Sequence, residues 1–154
     1  MPFQDLINIH NVCIDSTSKS KAAILLALSK QISQCYPELN TQQLFNAYWE
    51  REALGSTSIG HGILIPHISM NHIQKTYAGF IKLTNPVDCD ADDRQPITLV
   101  FGLVSAANKH EQHLKILSRI VSSFQHQEFI NLCRAAKTKI ELCNILTENG
   151  LPTL

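Results

Sequence analysis

The sequence predicts an α/β fold in which helices cover a central β-sheet. The run Ile97 to Val104 (Ile-Thr-Leu-Val-Phe-Gly-Leu-Val) is apolar enough for a strand buried on both faces. Segments on either side of the middle of the chain carry apolar residues at helical spacing. Helices first, strands in the middle and helices last imply a sheet sandwiched by helices. The pattern does not encode whether the strands are parallel. A chain of 154 residues is long enough for one domain, 1–154, with its own core.

Taken in order, Ile7, Ile9, Val12 and Ile14 suggest a short strand or extended lead-in. Ser16, Thr17 and Ser18 offer capping oxygens for a helix to about Cys35, with Ala22, Leu25, Leu26, Leu28 and Ile32 on its apolar face. Pro37 stops that helix. Asn40 or Thr41 caps the next one, whose stripe of Leu44, Phe45, Ala47, Tyr48 and Trp49 reads as core. The turn-formers Gly55, Ser56, Thr57, Ser58 and Gly60 follow, and then the short strand Gly62 to Ile65. Tyr77 to Leu83 reads as a strand and Asn85-Pro86 as a turn. The acidic tract Asp88, Asp90, Asp92 and Asp93 lacks the glycine and terminal glutamate of a calcium loop, so it reads as a solvated connection. After the strong strand come three helices. They use Leu114, Leu117, Ile120, Val121 and Phe124; then Phe129, Ile130, Leu132 and Cys133; then Ile140, Leu142, Cys143, Ile145 and Leu146. Gly150 and Pro152 end the chain.

Thirteen Lys and Arg balance thirteen Asp and Glu, which argues against nucleic-acid binding through a broad basic surface. No apolar run is long enough to span a bilayer, and the N-terminus has no basic segment leading into an apolar one, so neither membrane insertion nor a signal peptide is expected. The five cysteines form no close metal-type pair, and reduced, mostly buried thiols in a cytoplasmic protein are the expectation.

The chemistry centres on Pro66-His67. Proline fixes its own φ and pushes Ile65 towards an extended conformation, so the strand ends at a stiff corner that presents His67 at the sheet edge. His110 and His113 lie three apart on a helix and with His67 would make a three-histidine zinc site, but no acidic partners for such ligands are visible. The alternative is nucleophilic. A neutral imidazole can attack a phosphoryl group if one ring nitrogen is free and the other is held by a partner. The phosphoryl oxygens then need donors, which His113, Arg51 and the Ser56-Thr57 turn could supply, with His61 lining the site. An ordinary structural histidine is the other reading of position 67.

The run from Arg51 to Gly60 (Arg-Glu-Ala-Leu-Gly-Ser-Thr-Ser-Ile-Gly), followed by Gly62-Ile63-Leu64-Ile65-Pro66-His67, resembles the active-site signature of the fructose/mannitol type enzyme IIA domains. These are phosphocarriers of the bacterial phosphotransferase system, and the nearest branch is the nitrogen-regulatory enzyme IIA proteins. The likeness extends over almost the whole chain, through Pro86-Val87, Asp90-Ala91, Gln95-Pro96-Ile97 and His113-Leu114 with Leu117. It implies a mixed sheet with helices on both faces, His67 as phosphoryl acceptor, His113 as the second active-site histidine and Arg51 as the arginine beside them. It implies no cofactor and no metal. The implied donor is a small HPr-like phosphohistidine carrier, and the implied partners are regulatory targets such as sensor kinases or ion transporters. Such a protein is a phosphotransfer component rather than a stand-alone enzyme. The sequence departs from the family pattern at His61 (usually asparagine), Leu64 (commonly alanine), and Ile68 and Ser69 (usually a small and a basic residue), which alters the expected docking rim. Two other roles remain open: a sugar-transport enzyme IIA serving a fructose/mannitol-type permease, and a non-phosphorylated adaptor. Oligomeric state is not encoded.

Overall fold

The computed structural model describes residues 3–148. In chain order the elements are α1 (Phe3–Leu6), β1 (Val12–Asp15), α2 (Lys21–Cys35), α3 (Thr41–Ala53), β2 (Ser58–Gly60), β3 (Ile63–Leu64), β4 (His67–Met70), β5 (Tyr77–Val87), β6 (Ile97–Ala106), α4 (His110–Ser123), α5 (Gln127–Ala135) and α6 (Lys139–Glu148). The strands form one sheet in the order β1-β5-β6-β3-β2, and β4 also pairs with β6, further along that strand. The sheet is mixed. β1 runs parallel to β5, and both β3 and β4 run parallel to β6, while β5–β6 and β2–β3 are antiparallel.

β6 is the spine, as its apolar run predicts, because it pairs on both edges. Alternate residues of β6 point to opposite faces. Leu99, Phe101 and Leu103 join the core under α4, α5 and α6, whereas Val100 and Val104 join the core under α2 and α3; Ile97, beyond the register shift with β5, joins the second core out of phase. Helices therefore cover both faces. The paired glycines Gly79 and Gly102 let α2 lie close to the sheet, because a Cβ on Gly102 would sit 2.7 Å from Leu28 Cδ1.

Several local readings change. Thr17 and Ser18 do not cap α2: their N–H groups donate to the Asp15 carboxylate at 2.8 and 3.0 Å, closing an Asx-type turn. Ser20 caps instead, accepting from Ala23 N at 3.1 Å. Asn40 caps α3 as read, accepting from Gln43 N. Only Leu44 and Tyr48 of the aromatic stripe are fully buried, and Tyr48 donates its hydroxyl to Leu103 O at 2.8 Å. Trp49 stays 47% exposed and stacks on Phe45 outside the core. Asn85-Pro86 is not a turn; β5 continues through it with a register shift between Lys82 and Val87, an irregularity that accommodates a proline lacking its N–H. The apolar face of α4 runs through His113, Ile116 and Ile120, which rotates Leu114 outwards to 49% exposure. Leu132 and Ile140 are likewise exposed. Residues 7–9 are no strand: a helical turn, α1, precedes the four-residue β1. Gly150 and Pro152 lie outside the described residues.

Candidate functional site

The strand Ile63–Leu64 stops at Pro66, and the chain resumes immediately as β4, so His67 opens a second strand rather than a loop. Leu103 N donates to Pro66 O at 2.9 Å, which ties the corner to the spine strand. His67 lies opposite Leu103 and is half-buried. Its Nδ1 lies 2.7 Å from Ile65 O. A carbonyl oxygen only accepts, so Nδ1 carries the proton and Nε2 keeps its lone pair. The peptide carbonyl just before the proline thus selects the tautomer that a nucleophilic Nε2 requires.

His113, on the first turn of α4, brings its ring centroid to 5.9 Å from that of His67, with the planes 38° apart. It is 6% exposed, and its Nδ1 is buried without a hydrogen-bond partner. Burial holds its pKa below the ordinary histidine value, and the neighbouring His67 and His110 push it the same way. A buried polar nitrogen with no partner costs free energy, so this atom is poised to gain one.

The two histidines share a shallow depression of about 340 Å³ between α3, β4 and α4. Arg51 and Glu50 line it from α3, Leu54 (85% exposed) stands at its rim, and Ile68 and Ser69 line it from β4. Arg51 donates one N–H to Gly55 O at 2.8 Å, closing the end of α3, and keeps other guanidinium donors. Ser69 shares a 3.0 Å hydrogen bond with Ser105.

The structure does not bring the other proposed donors here. Thr57 is buried; its hydroxyl donates to the Glu52 carboxylate and its N–H does so at 3.2 Å. Glu52 also pairs with Lys21 at 3.0 Å, so this cluster fastens the turn to α2 and α3. Ser56 accepts from Ser58 N at 3.1 Å and does not line the depression. His61 sits in the left-handed region (φ 57°) at the tip of the β2–β3 hairpin, its N–H held by Asp93. The hairpin carries that tip beside Thr98, five residues from Leu103 on β6, or roughly 16 Å at the rise of an extended strand. Leu64 is fully buried in the core under α2 and α3, so it adds no bulk to the rim. Among the described residues no three His, Cys, Asp or Glu side chains gather closely enough to hold a metal ion, so the His67–His110–His113 triad does not assemble. Sequence reasoning missed Glu50 and Leu54 and read Ala47 as core; Ala47 and Leu54 stand four before and three after Arg51, the helical spacing that would have found them, whereas Glu50 carries no such signal.

A mixed sheet sandwiched by helices, with two histidines facing each other in a depression at its edge, defines the class of α/β domain. Residues 5–149 match the family described as "Phosphoenolpyruvate-dependent sugar phosphotransferase system, EIIA 2", and the chain belongs to that family. It is 34% identical over 139 residues to the nitrogen regulatory protein of Escherichia coli K12, which covers 88% of this chain and 82% of that one. Among solved structures, it resembles the nitrogen regulatory protein IIA-Ntr of Neisseria meningitidis (TM-score 0.86, 25% identity, 94% and 99% of the two chains). The Escherichia coli mannitol IIA shares the fold alone (TM-score 0.75, 17% identity, 91% and 98%). No helix among the described residues is long and apolar enough to cross a membrane.

Proposed function

We propose that the protein is a regulatory phosphocarrier: His67 Nε2 accepts a phosphoryl group from the phosphohistidine of an HPr-like carrier, and regulatory targets bind according to that state. The observation that carries this reading is the hydrogen bond from His67 Nδ1 to Ile65 O, which leaves Nε2 as the free nucleophile. In the transfer, the new bond forms between Nε2 and phosphorus as the donor's N–P bond breaks. The donor ring leaves as a neutral imidazole, and His67 retains its Nδ1 proton, so charge balances without an external base. His113 and the spare donors of Arg51 face the same depression and would hold the phosphoryl oxygens.

The relatives named nitrogen regulatory proteins favour regulation over sugar transport. The test is phosphorylation from phosphoenolpyruvate through the upstream phosphotransfer proteins. An acid-labile, base-stable label is expected on the wild type and none on His67→Ala; label that survives in that variant places the acceptor elsewhere. His113→Ala should still dock the donor yet take up phosphate roughly a hundredfold more slowly, the loss expected for one transition-state donor. For the regulatory role, His67→Ala should capture a non-transport target that the phosphorylated wild type releases. If deleting the gene instead abolishes uptake of one sugar, the transport role replaces this one.

A further inference from the structure

At the opposite end of the sheet from His67, where β1, β5 and β6 meet the end of α5, lies a second depression of about 400 Å³. We propose that it binds a small organic phosphate, a phosphate monoester carried on a ring. Lys82, Arg134 and Lys137 line it, together with the Thr98 hydroxyl and the apolar surfaces of Ile14 and Pro86. No aspartate or glutamate lines it, although the chain as a whole is neutral. Three positive charges in one concavity repel one another, and a dianion removes that repulsion.

The three cations have structural duties that do not discharge them. Lys82 donates to Ala136 O, the carbonyl that ends α5. Arg134 donates through Nε to Thr98 Oγ1 at 2.9 Å and through Nη2 to His61 O, which pins the hairpin tip. Every acceptor here is a neutral oxygen, so no anion compensates the charge. Carboxylates close by in the fold have other donors: Glu141 accepts from Lys137 N at 3.0 Å, Asp93 from His61 N and Gln95 N, and Asp15, next to Ile14 and opposite Leu83, from Thr17 N and Ser18 N. Among the described residues none of the three cations has an ion-pair partner. Ammonium and guanidinium groups keep donors free after these bonds. Lys82, Thr98 and Arg134 are half-buried at the floor, while Lys137 and Pro86 are exposed at the rim. A polar floor under an apolar wall of this volume suits a phosphate head on a ring-sized body.

Its position separates it from the phosphoryl site. Lys82 lies opposite Leu99 and His67 opposite Leu103, about 13 Å apart along the spine strand. A ligand held here does not touch His67.

Titrating the 15N-labelled full chain with glucose 6-phosphate and with AMP at physiological salt tests the assignment. Glucose, adenosine and citrate serve as controls. At least one of the phosphates should give saturable amide shifts centred on Lys82, Thr98, Ala136 and Lys137, with the His67 and His113 amides still. Lys137→Glu, at an exposed position that leaves folding intact, should weaken that binding by about tenfold or more, the worth of a charge-assisted hydrogen bond. Lys82→Met should weaken it similarly. Three outcomes overturn the proposal: no saturable shift with either phosphate, equal affinity in wild type and Lys137→Glu, or shifts centred away from Lys82, Thr98, Ala136 and Lys137. Comparable binding of citrate overturns the phosphate class.

Discussion

Phosphorylating His67 should protonate His113. In the unmodified protein burial keeps His113 neutral, and its two histidine neighbours act in the same direction. A phosphoryl group on Nε2 reverses the local field by placing roughly −1.5 to −2 charges beside that ring. The ring centroids are 5.9 Å apart. A dianion about 6 Å from a cation, at an effective dielectric constant of about 20, attracts it by about 5 kcal/mol, and the positive charge of a His67 ring that keeps its Nδ1 proton offsets about half of that. Each tenfold change in a protonation equilibrium takes about 1.4 kcal/mol, so the remaining attraction is worth more than a tenfold shift towards the imidazolium. Protonation also gives the unpartnered Nδ1 a role, since both nitrogens of an imidazolium donate. Long-range 1H–15N spectra of the histidine rings at pH 7, recorded before and after phosphorylation, report the charge directly. The His113 nitrogens should move from the neutral to the imidazolium pattern, with matching proton uptake in an unbuffered solution. A His113 ring that stays neutral beside phosphorylated His67 would refute the reasoning, because the field would then be weaker than the burial.

The same buried ring sets a pH dependence in the unmodified protein. Its folded pKa lies below the ordinary 6.5, so above that pH the ring is neutral in both states and stability is unaffected. As pH falls below 6.5 the unfolded chain takes the proton first, and the urea midpoint should drop; in His113→Leu the drop should be smaller, and an equal drop would exclude this ring as its source. Away from the site, Gly102→Ala would place its new Cβ 2.7 Å from Leu28 Cδ1 and 2.9 Å from Cγ, in a fully buried position. Overpacking of this kind costs about 1–3 kcal/mol, or a loss of roughly 2–12 °C in Tm. Adding Leu28→Ala should recover part of that loss, so strictly additive losses in the double variant would rule out the Leu28 contact as the cause.

The long elements were legible because their signals are local. β6 shows eight apolar-rich residues in a row, and α5 buries Phe129, Ile130 and Cys133 from the run that reads as its apolar face. The short elements were not. β4 has four residues, His-Ile-Ser-Met, with one fully inward side chain, Ile68, and Met70 packing partly buried beside it; only its pairing with β6 makes it a strand. The outward turn of Leu114 escaped notice because Leu117 and Val121 do pack against the core, which made a face through 114 look natural. Histidine 113 takes the inward position instead, and a polar residue there carries no hydrophobic signal. The site divides along the same line. Pro66-His67 and the helix bearing His113 were readable from backbone restriction and spacing. Proximity in sequence misled at His61, Ser56 and Thr57. A hairpin reverses the chain, so the five residues between His61 and His67 measure separation along β3 rather than closeness.

The fold also explains why His67 stands at a seam. β3 and β4 are successive parallel partners of the same edge of β6, and Pro66 is the joint between them. A continuous strand would send alternate side chains to each face and give no reason to halt. A proline cannot donate to a ladder, so the joint loses one N–H while its carbonyl still accepts from Leu103 N. The preceding carbonyl, Ile65 O, accepts instead from the side chain two residues on. In a regular strand that oxygen would pair with backbone. Ile65 N donates to Thr57 O across the hairpin, but Thr57 N donates to Glu52, which leaves Ile65 O for His67, and that acceptor fixes the tautomer that frees Nε2. The Pro66→Ala variant restores a donor at the joint and loosens φ. It should therefore blur the His67 ring geometry before it alters stability, and ring 15N spectra showing one unchanged Nδ1–H tautomer would place the control elsewhere.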